Sequence, residues 1–540
     1  MNREIRGLHE AAYVLALFTF LSQILSLFRD RVFAHFFGAS APLDAYFTAF
    51  RIPDLTFAFL TLFVSSFALV PLFAERGGVH TASSRSLVGS VLAVFGVMSV
   101  LVSLILYVLL PVIYPLLFPG FSAEVQTTSI ALSRIMLLQP IFLGLSSIVA
   151  SVIQASRKFL LYALAPIFYN VGIILGALFL YPWIGITGLA WGVVGGALLH
   201  FAVQAFPLFS YAGANTPRFS TQWLSDIRQV VVLSLPRALA LSSHHILLIA
   251  FVSAASLSAV GSVSVVTFAF NLQSVPLAIV GVSYASALFP SLALLFARGE
   301  KETFVREVWA AVRHIMLWIT LAIALMVVLR AHIVRVILGT GAFTWADTRL
   351  TAAVLAGFVL SLVAQSVLLI FSRAYYAAGR SVEPILVNVG ASLVAGFFAF
   401  VSLRWFQGAS LTRYFFEDLF RITDIEGTEV VMIAITYSVV MLLAALLFAV
   451  LYARRFGYDT RVTQSLLFSF SASVIAGSAT YATLQVFGPL LPTDTFLGIF
   501  AQGAAGGIVG ILAWVGTLML LQSREFSEVR TIATKLLTAR

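Results

Sequence analysis

Arg29, Arg31 and Arg51 sit with Asp30, Asp44 and Asp54 near the start of a chain that is otherwise poor in charge. A guanidinium is a planar fork of donors that grips phosphate or carboxylate oxygens two at a time. Several together, with carboxylates to hold or release them, could bind a phosphate-bearing substrate. Arg237 follows Pro236, and a proline inside a helix frees a backbone carbonyl. Gln23, Asn271 and Gln273 offer neutral hydrogen bonds. No comparable set exists for enzyme chemistry. The chain has no cysteine, which removes thiolate nucleophiles, disulfides and thiolate metal sites together. It has no Gly-Lys pair, hence no Walker-type phosphate loop, and no His-Glu-x-x-His or other metal-ligand spacing. His244 and His245 are adjacent, and helical neighbours point about 100° apart, which argues against a shared metal. The sequence therefore reads as a non-enzyme without metal or cofactor. Active transport would have to draw on the membrane potential or an ion gradient.

Composition dictates the elements that hold these residues. Of 540 residues, 61% are hydrophobic and 10% charged, where soluble domains carry about 25% charged. Mean hydropathy is +1.02, so lipid is the solvent for most of the chain. Apolar runs bounded by Gly, Pro or charge give about fourteen spans: 9–37, 44–74, 84–117, 126–155, 160–181, 186–211, 226–254, 261–297, 305–338, 347–378, 383–403, 429–453, 462–487 and 496–521. Spans this long must be helices, because lipid leaves backbone groups no partner outside a helix or a closed barrel. Barrel strands alternate, and Leu101–Leu110 does not. The first span runs into Arg29-Asp30-Arg31 with no small-residue cleavage site, so it is not a removable signal.

The net charge of +10 resolves into a topology pattern. Alternating sides from an inside N-terminus puts most basic residues on one face, from Arg3 and Arg6 through Arg76, Arg85, Arg157, Lys158, Arg218, Arg228, Arg298, Lys301, Arg306, Arg380, Arg454, Arg455 and Arg461 to the tail. The other face receives Arg330, Arg335, Arg349, Arg404, Arg413 and Arg421. This satisfies the positive-inside rule with both termini cytoplasmic, and leaves nucleic acid without support as a partner. Arg29, Arg31, Arg51, Arg134, Arg237 and Arg373 fall within spans. An intramembrane arginine costs at least about 2.5–3.5 kcal/mol and so faces a protein interior or a watery cavity, although Arg134 and Arg373 are placed to snorkel. The tail 523–540 has helical apolar spacing among basic residues, which suits a short helix on the inner leaflet. The mixed-charge stretch 404–429 is expected to be a solvated loop, with a surface helix or a partner contact as the alternatives.

An internal repeat at an offset of about 220 residues is visible. Ala45–Ile52 resembles Val265–Leu272, Ser65–Pro71 resembles Tyr284–Pro290, and Ser156–Pro166 echoes the region from Gly379 to Pro384. With six spans in each copy, the repeats form two parallel bundles with two helices appended, a transporter architecture. The expected division is 1–215 and 216–456 for the lobes, 457–522 for the appended pair, and 523–540 for the amphipathic tail.

Phe28-Arg29-Asp30, Phe37-Gly38-Ala39, Asp44-Ala45-Tyr46-Phe47 and Ala49-Phe50-Arg51-Ile52-Pro53-Asp54 resemble the opening of the MurJ/MviN family of lipid II flippases. The resemblance continues through Ser133–Met136, Ala163–Pro166 with Asn170, Gly185–Gly192, Leu235-Pro236-Arg237, Asn271-Leu272-Gln273 with Val275-Pro276-Leu277, and Arg373–Ala377. It implies the fold of the multidrug/oligosaccharidyl-lipid/polysaccharide exporter superfamily: two six-helix lobes and two final helices lining a groove for the lipid tail. It implies an undecaprenyl-pyrophosphate-linked peptidoglycan precursor, flipped from the inner to the outer leaflet of the bacterial cytoplasmic membrane. The mechanism implied is alternating access by a monomer, driven by membrane potential, with sodium implicated in the second lobe. On that resemblance Arg29, Arg51 and Arg237 would contact the pyrophosphate with Gln23, Asn271 and Gln273, while Asp30, Arg31, Asp44 and Asp54 would form charge pairs or gates. The chain departs from the family pattern where Gln23, Phe57-Ala58 and Asn271 replace cations, and where the seventh-helix acid linked to sodium aligns near Ala250. Two other readings stay open: a superfamily transporter of another polyprenyl-linked glycan or an amphipathic small molecule, and a non-transporting scaffold.

Overall fold

A computed structural model describes residues 8–61, 66–79, 81–156, 159–211, 223–488, 490–492 and 495–538, and among them every regular element is helical. The chain divides into two compact units, Met1–Ser264 and Val265–Arg540. In the first, α1 (Leu8–Phe37) precedes a broken span of three short helices, α2 (Ala41–Ala49), α3 (Arg51–Leu60) and α4 (Ser66–Glu75). Next come α5 (Ala82–Leu117) and a span divided into α6 (Ala123–Met136) and α7 (Gln139–Ala155). Helix α8 (Phe159–Leu175) passes through a π-turn at Gly176–Leu180 into α9 (Tyr181–Ile184), and α10 (Thr187–Tyr211) and α11 (Trp223–Ser256) follow.

Helix α12 (Ser262–Pro276) leads into the second unit and continues through a π-turn at Leu277–Val282 to α13 (Ser283–Ala297). The unit then contains α14 (Lys301–Val328), α15 (Arg330–Leu338), α16 (Trp345–Val359), α17 (Leu362–Ala377) and α18 (Val382–Gly408). It ends with α19 (Ser410–Phe420), α20 (Val431–Phe456), α21 (Arg461–Phe487), α22 (Phe496–Leu520) and α23 (Arg524–Thr538). Among the described residues, 11 helical stretches are long and apolar enough to cross a membrane. The other three expected spans, 9–37, 44–74 and 226–254, are α1, the broken set α2–α4, and α11. The chain is the all-α polytopic membrane protein its composition implies.

Its surface confirms the solvent. Along α5, Leu104, Val108, Val112 and Leu116 are exposed at every fourth position, while Ser99 and Ser103 on the same helix are buried. Apolar outside and polar inside is the arrangement that lipid favours.

The repeat is visible in the local geometry of each unit. The 123–155 and 345–377 spans both break midway, at Leu137-Leu138 and at Leu360-Ser361. Asn170 Nδ2 donates to the Pro166 carbonyl at 3.1 Å, and Asn388 Nδ2 donates to the Pro384 carbonyl at 2.7 Å. The same proline–asparagine device thus stands at an equal offset in both copies. Helix α11, which the repeat places with the second copy, packs on α3, α4 and α5 of the first unit. Arg76 Nη2 meets Asp226 Oδ1 at 2.6 Å near its start, and Ser253 Oγ donates to the Leu117 carbonyl near its end.

Close packing relies on glycine between α8 and α10 and between α21 and α22. A Cβ at Gly172 of α8 would lie 2.2 Å from Gly196 Cα of α10, and one at Gly192 would lie 2.6 Å from Gly176 Cα. The ladder on α22 works similarly, since a Cβ at Gly510 would meet Thr480 Oγ1 of α21. The α21–α22 pair shares a core with α14 through Leu317, Leu321, Ala472, Ala476, Trp514 and Leu518. Gly172→Ala is therefore expected to destabilise the protein by about 1–3 kcal/mol, the usual range for overpacking. Gly195→Ala, with open space around its Cβ, is the control; thermal unfolding in detergent compares the two.

The 404–429 stretch is not the solvated loop expected. Helix α18 runs on to Gly408 and α19 occupies Ser410–Phe420. Several of its charged side chains fasten it to the fold. Arg413 Nε and Thr428 Oγ1 both donate to Glu417 Oε1, at 2.8 and 2.6 Å, and Arg349 Nη1 donates to Asp424 Oδ2 at 2.9 Å. Hydrogen bonding from Arg349 holds the Asp424 carboxyl below the usual carboxylate range.

Candidate functional site

The polar side chains of the first unit gather where its broken spans expose backbone and bend. Arg29, on α1, is not free. Its Nη2 lies 2.8 Å from Asp30 Oδ1, and its Nη1 donates to Asn170 Oδ1 of α8 at 3.1 Å. Asn170 can accept because its own amide is turned back onto Pro166. Asp30 is buried, whereas the Arg29 side chain keeps 18% exposure.

Arg51 differs. It opens α3 directly after the break at Phe50, and its buried Nε has no hydrogen-bond partner. Asp54, one turn on, is within electrostatic reach, but its Oδ1 already accepts from Gln139 Nε2 of α7 at 3.0 Å. His244 and His245 of α11 feel Arg51 from across the unit. Tyr46 and Tyr169 interact electrostatically with both Arg29 and Asp54, and the buried Tyr46 hydroxyl has no hydrogen-bond partner. Leaving a buried polar group unsatisfied costs about 1–3 kcal/mol, so each instance calls for a reason. Arg51 Nε and the Tyr46 hydroxyl are two such orphan donors.

Asp44 has a separate task. Buried on α2, its carboxylate accepts from Gly261 N and Ser264 N, both at 2.7 Å, and from Ser264 Oγ at 2.6 Å. It caps the N-terminus of α12, where orphan N–H groups and the helix dipole both favour an anion. Gly261 has φ +90, and a Cβ there would lie 2.6 Å from the Ala39 carbonyl oxygen. Only glycine permits that approach.

The other sequence-derived residues are dispersed. Gln23 is half-buried on α1, and Arg31 is half-buried one residue past Asp30. Arg237 lies within α11, and its side chain is outside the described residues. In the second unit, Asn271 is half-buried on α12. Gln273 is buried; its Oε1 accepts from Gln365 Nε2 at 3.2 Å, and its Nε2 has no partner. Ala58 is buried and Phe57 half-buried on α3. Arg134 Nε donates to the Tyr107 carbonyl at 3.3 Å, and the Arg373 guanidinium stands 5.6 Å from the Phe289 ring centroid.

Sequence reasoning missed several partners. Gln139 precedes a proline in mid-span, and that placement could have flagged it. It also passed over Arg313, a cation inside α14. Its Nη1 meets Asp459 Oδ2 at 2.6 Å, and its Nε lies 3.0 Å from Glu525 Oε1 without hydrogen-bond alignment. Burial works against the charge on Asp459, but bonds from Arg461 N and Arg313 keep its carboxyl below the usual range. His314 Nε2 reaches Glu528 Oε2 at 3.2 Å, and Phe526 meets Trp514 edge-on. The first turns of α23 are therefore fastened to α14 and α22. Among the described residues, no group of three His, Cys, Asp or Glu side chains could hold a metal ion.

Comparison with known proteins agrees with this architecture. The family model described as lipid II flippase MurJ matches residues 33–500. The lipid II flippase MurJ of Burkholderia cenocepacia is 27% identical over 420 residues, covering 75% of this chain and 80% of that protein. A solved lipid II flippase MurJ in an inward closed conformation superposes with a TM-score of 0.74 at 22% identity, over 95% of this chain and all of that one. An inward-facing multidrug-resistance MATE transporter gives a TM-score of 0.64 at 17% identity over 82% of this chain. With the family model spanning nearly the whole polytopic core, the chain belongs to the MurJ lipid II flippase family.

Proposed function

We propose that this chain flips lipid II, the polyprenyl-pyrophosphate-linked peptidoglycan precursor, across the bacterial cytoplasmic membrane. The observation that carries the reading is Arg51, a half-buried cation in an apolar protein whose buried Nε has no hydrogen-bond partner. A pyrophosphate supplies the acceptors this donor lacks, and the fork geometry suits two oxygens at once. Arg29, held in place by Asp30 and Asn170, adds positive potential from a fixed position. The orphan Tyr46 hydroxyl adds a neutral donor. Asp54 stands within electrostatic reach of Arg51 while its Oδ1 accepts from Gln139.

The orientation follows from charge: the face bearing both termini is cytoplasmic, where the basic loops concentrate. The clasp of Asp44 on the start of α12 then lies toward the outer face. The membrane potential or an ion gradient supplies the work, and the α21–α22 pair offers the lipid tail a path along its apolar exterior. A different polyprenyl-linked glycan is the second reading, favoured by the loss of family cations at Gln23, Phe57, Ala58 and Asn271.

Depleting the essential flippase of a bacterium and expressing this chain tests the reading. Rescue by the wild-type chain, and none by Arg51→Ala at equal membrane levels, is expected. Correct insertion without rescue rejects lipid II as cargo; rescue by Arg51→Ala rejects the site.

A further inference from the structure

The excursion between α18 and α20 has an exposed face that neither the site nor the transport cycle explains. Leu411, Phe415 and Leu419 recur at every fourth residue of α19 and are 84%, 62% and 55% exposed. The opposite side is fixed to the protein: Glu417 is 3% exposed under Arg413 and Thr428, and Phe416 contacts Phe406 with ring centroids 6.4 Å apart. The helix is thus held in one rotational setting with three large apolar side chains pointing away from the fold.

What covers them follows from position. Helix α18 is a membrane span that ends at Gly408, α19 begins at Ser410, and the next span opens at Thr428. The element is therefore pinned at the membrane surface at both ends. On α18, Phe397, Val401 and Trp405 are exposed at the same four-residue spacing, and this lipid-facing stripe runs directly into the apolar face of α19. Exposed Trp405 and Tyr414 mark the junction, as aromatic side chains do at bilayer interfaces. Arg413 and Asp418, between the apolar positions, give the helix a polar side. A short helix with these two faces lies in the plane of the interface, its apolar side among acyl chains.

We propose that α19 lies on the bilayer as a surface anchor, with Leu411, Phe415 and Leu419 inserted into the leaflet opposite the chain termini. In the orientation argued above this is the outer leaflet, but the contact itself depends on neither the orientation nor the cargo.

The chain has no cysteine, so single cysteines can carry a nitroxide without background. Phe415→Cys, Leu419→Cys, Ser410→Cys and Asp418→Cys, each spin-labelled and reconstituted into phospholipid vesicles, are compared for collision with oxygen and with a water-soluble nickel chelate. Labels at 415 and 419 are expected to meet oxygen and be shielded from the chelate, with the reverse at 410 and 418. Equal chelate access at all four positions would overturn the proposal. So would shielding at 415 and 419 from both reagents with spin–spin broadening, which would mean that a second copy covers the face. Because 415 and 419 point out of the fold, two independent variants report on the same contact.

Discussion

Arg51→Ala is expected to slow lipid II flipping by at least ~10-fold while leaving the unfolding temperature unchanged or raised. A hydrogen bond to a charged group is worth about 1.5–3 kcal/mol, and about 1.4 kcal/mol is a factor of ten. Removing Arg51 also relieves a buried donor that nothing in the protein satisfies, so the folded state gains what the substrate complex loses. A residue kept for packing would behave in the opposite way. Arg51→Lys, retaining the charge without the fork, should fall between the two. Arg29→Ala provides the contrast. It strands the buried Asp30 carboxylate and loses the bond to Asn170, and breaking one side of a buried pair costs about 3–5 kcal/mol. Its loss should therefore register first in thermal unfolding. Flipping rates in vesicles and melting curves of the same preparations separate the two arginines.

The second large effect is expected at Asp44. Asp44→Ala leaves Gly261 N, Ser264 N and Ser264 Oγ without the carboxylate that binds them. Three charged hydrogen bonds at the low end of their range amount to about 4.5 kcal/mol, more than the roughly 1 kcal/mol of an ordinary helix cap. Amide hydrogen exchange at residues 261–264 should quicken markedly, with little change at Gly195 on α10. Adding Ser264→Ala to Asp44→Ala should recover part of the loss, because it removes one stranded donor, and such coupling is what a double-mutant cycle reads. If Asp44→Ala leaves exchange at 261–264 unchanged, the carboxylate does not clasp α12.

The fourteen spans were legible because lipid admits so few alternatives: apolar length alone determines where a helix must run. The breaks were harder to see. Nothing in the composition of Leu137-Leu138 or Leu360-Ser361 announces a mid-span interruption, although Gln139-Pro140 marks the first of them. Arg29 and Arg51 were recognisable as buried cations, and sequence treated them alike. Their difference lies in partners far along the chain, Asn170 for the one and no acceptor at Nε for the other, and pairing at that distance leaves no local periodicity. Asp44 was recognisable as a charge-pair residue, but its partners are backbone amides at Gly261 and Ser264, which carry no side-chain signal. Arg313 was overlooked because its acids, Asp459 and Glu525, sit at the ends of other helices and read as solvated. At α19 the signal was available: Leu411, Phe415 and Leu419 have helical spacing, masked by the charged residues around them, of which Glu417 turns inward.

The central claim, that the chain carries lipid II across the membrane and grips it at Arg51, is tested most directly in purified vesicles. Lipid II with a fluorophore on its headgroup is placed in both leaflets, a membrane-impermeant quencher is added outside, and a membrane potential is imposed. With the wild-type chain, the protected inner fraction should become accessible at a rate that rises with protein content and drops at least ~10-fold in Arg51→Ala. A protected fraction that stays constant with the chain correctly inserted, or that drains as fast with Arg51→Ala as with wild type, would contradict it.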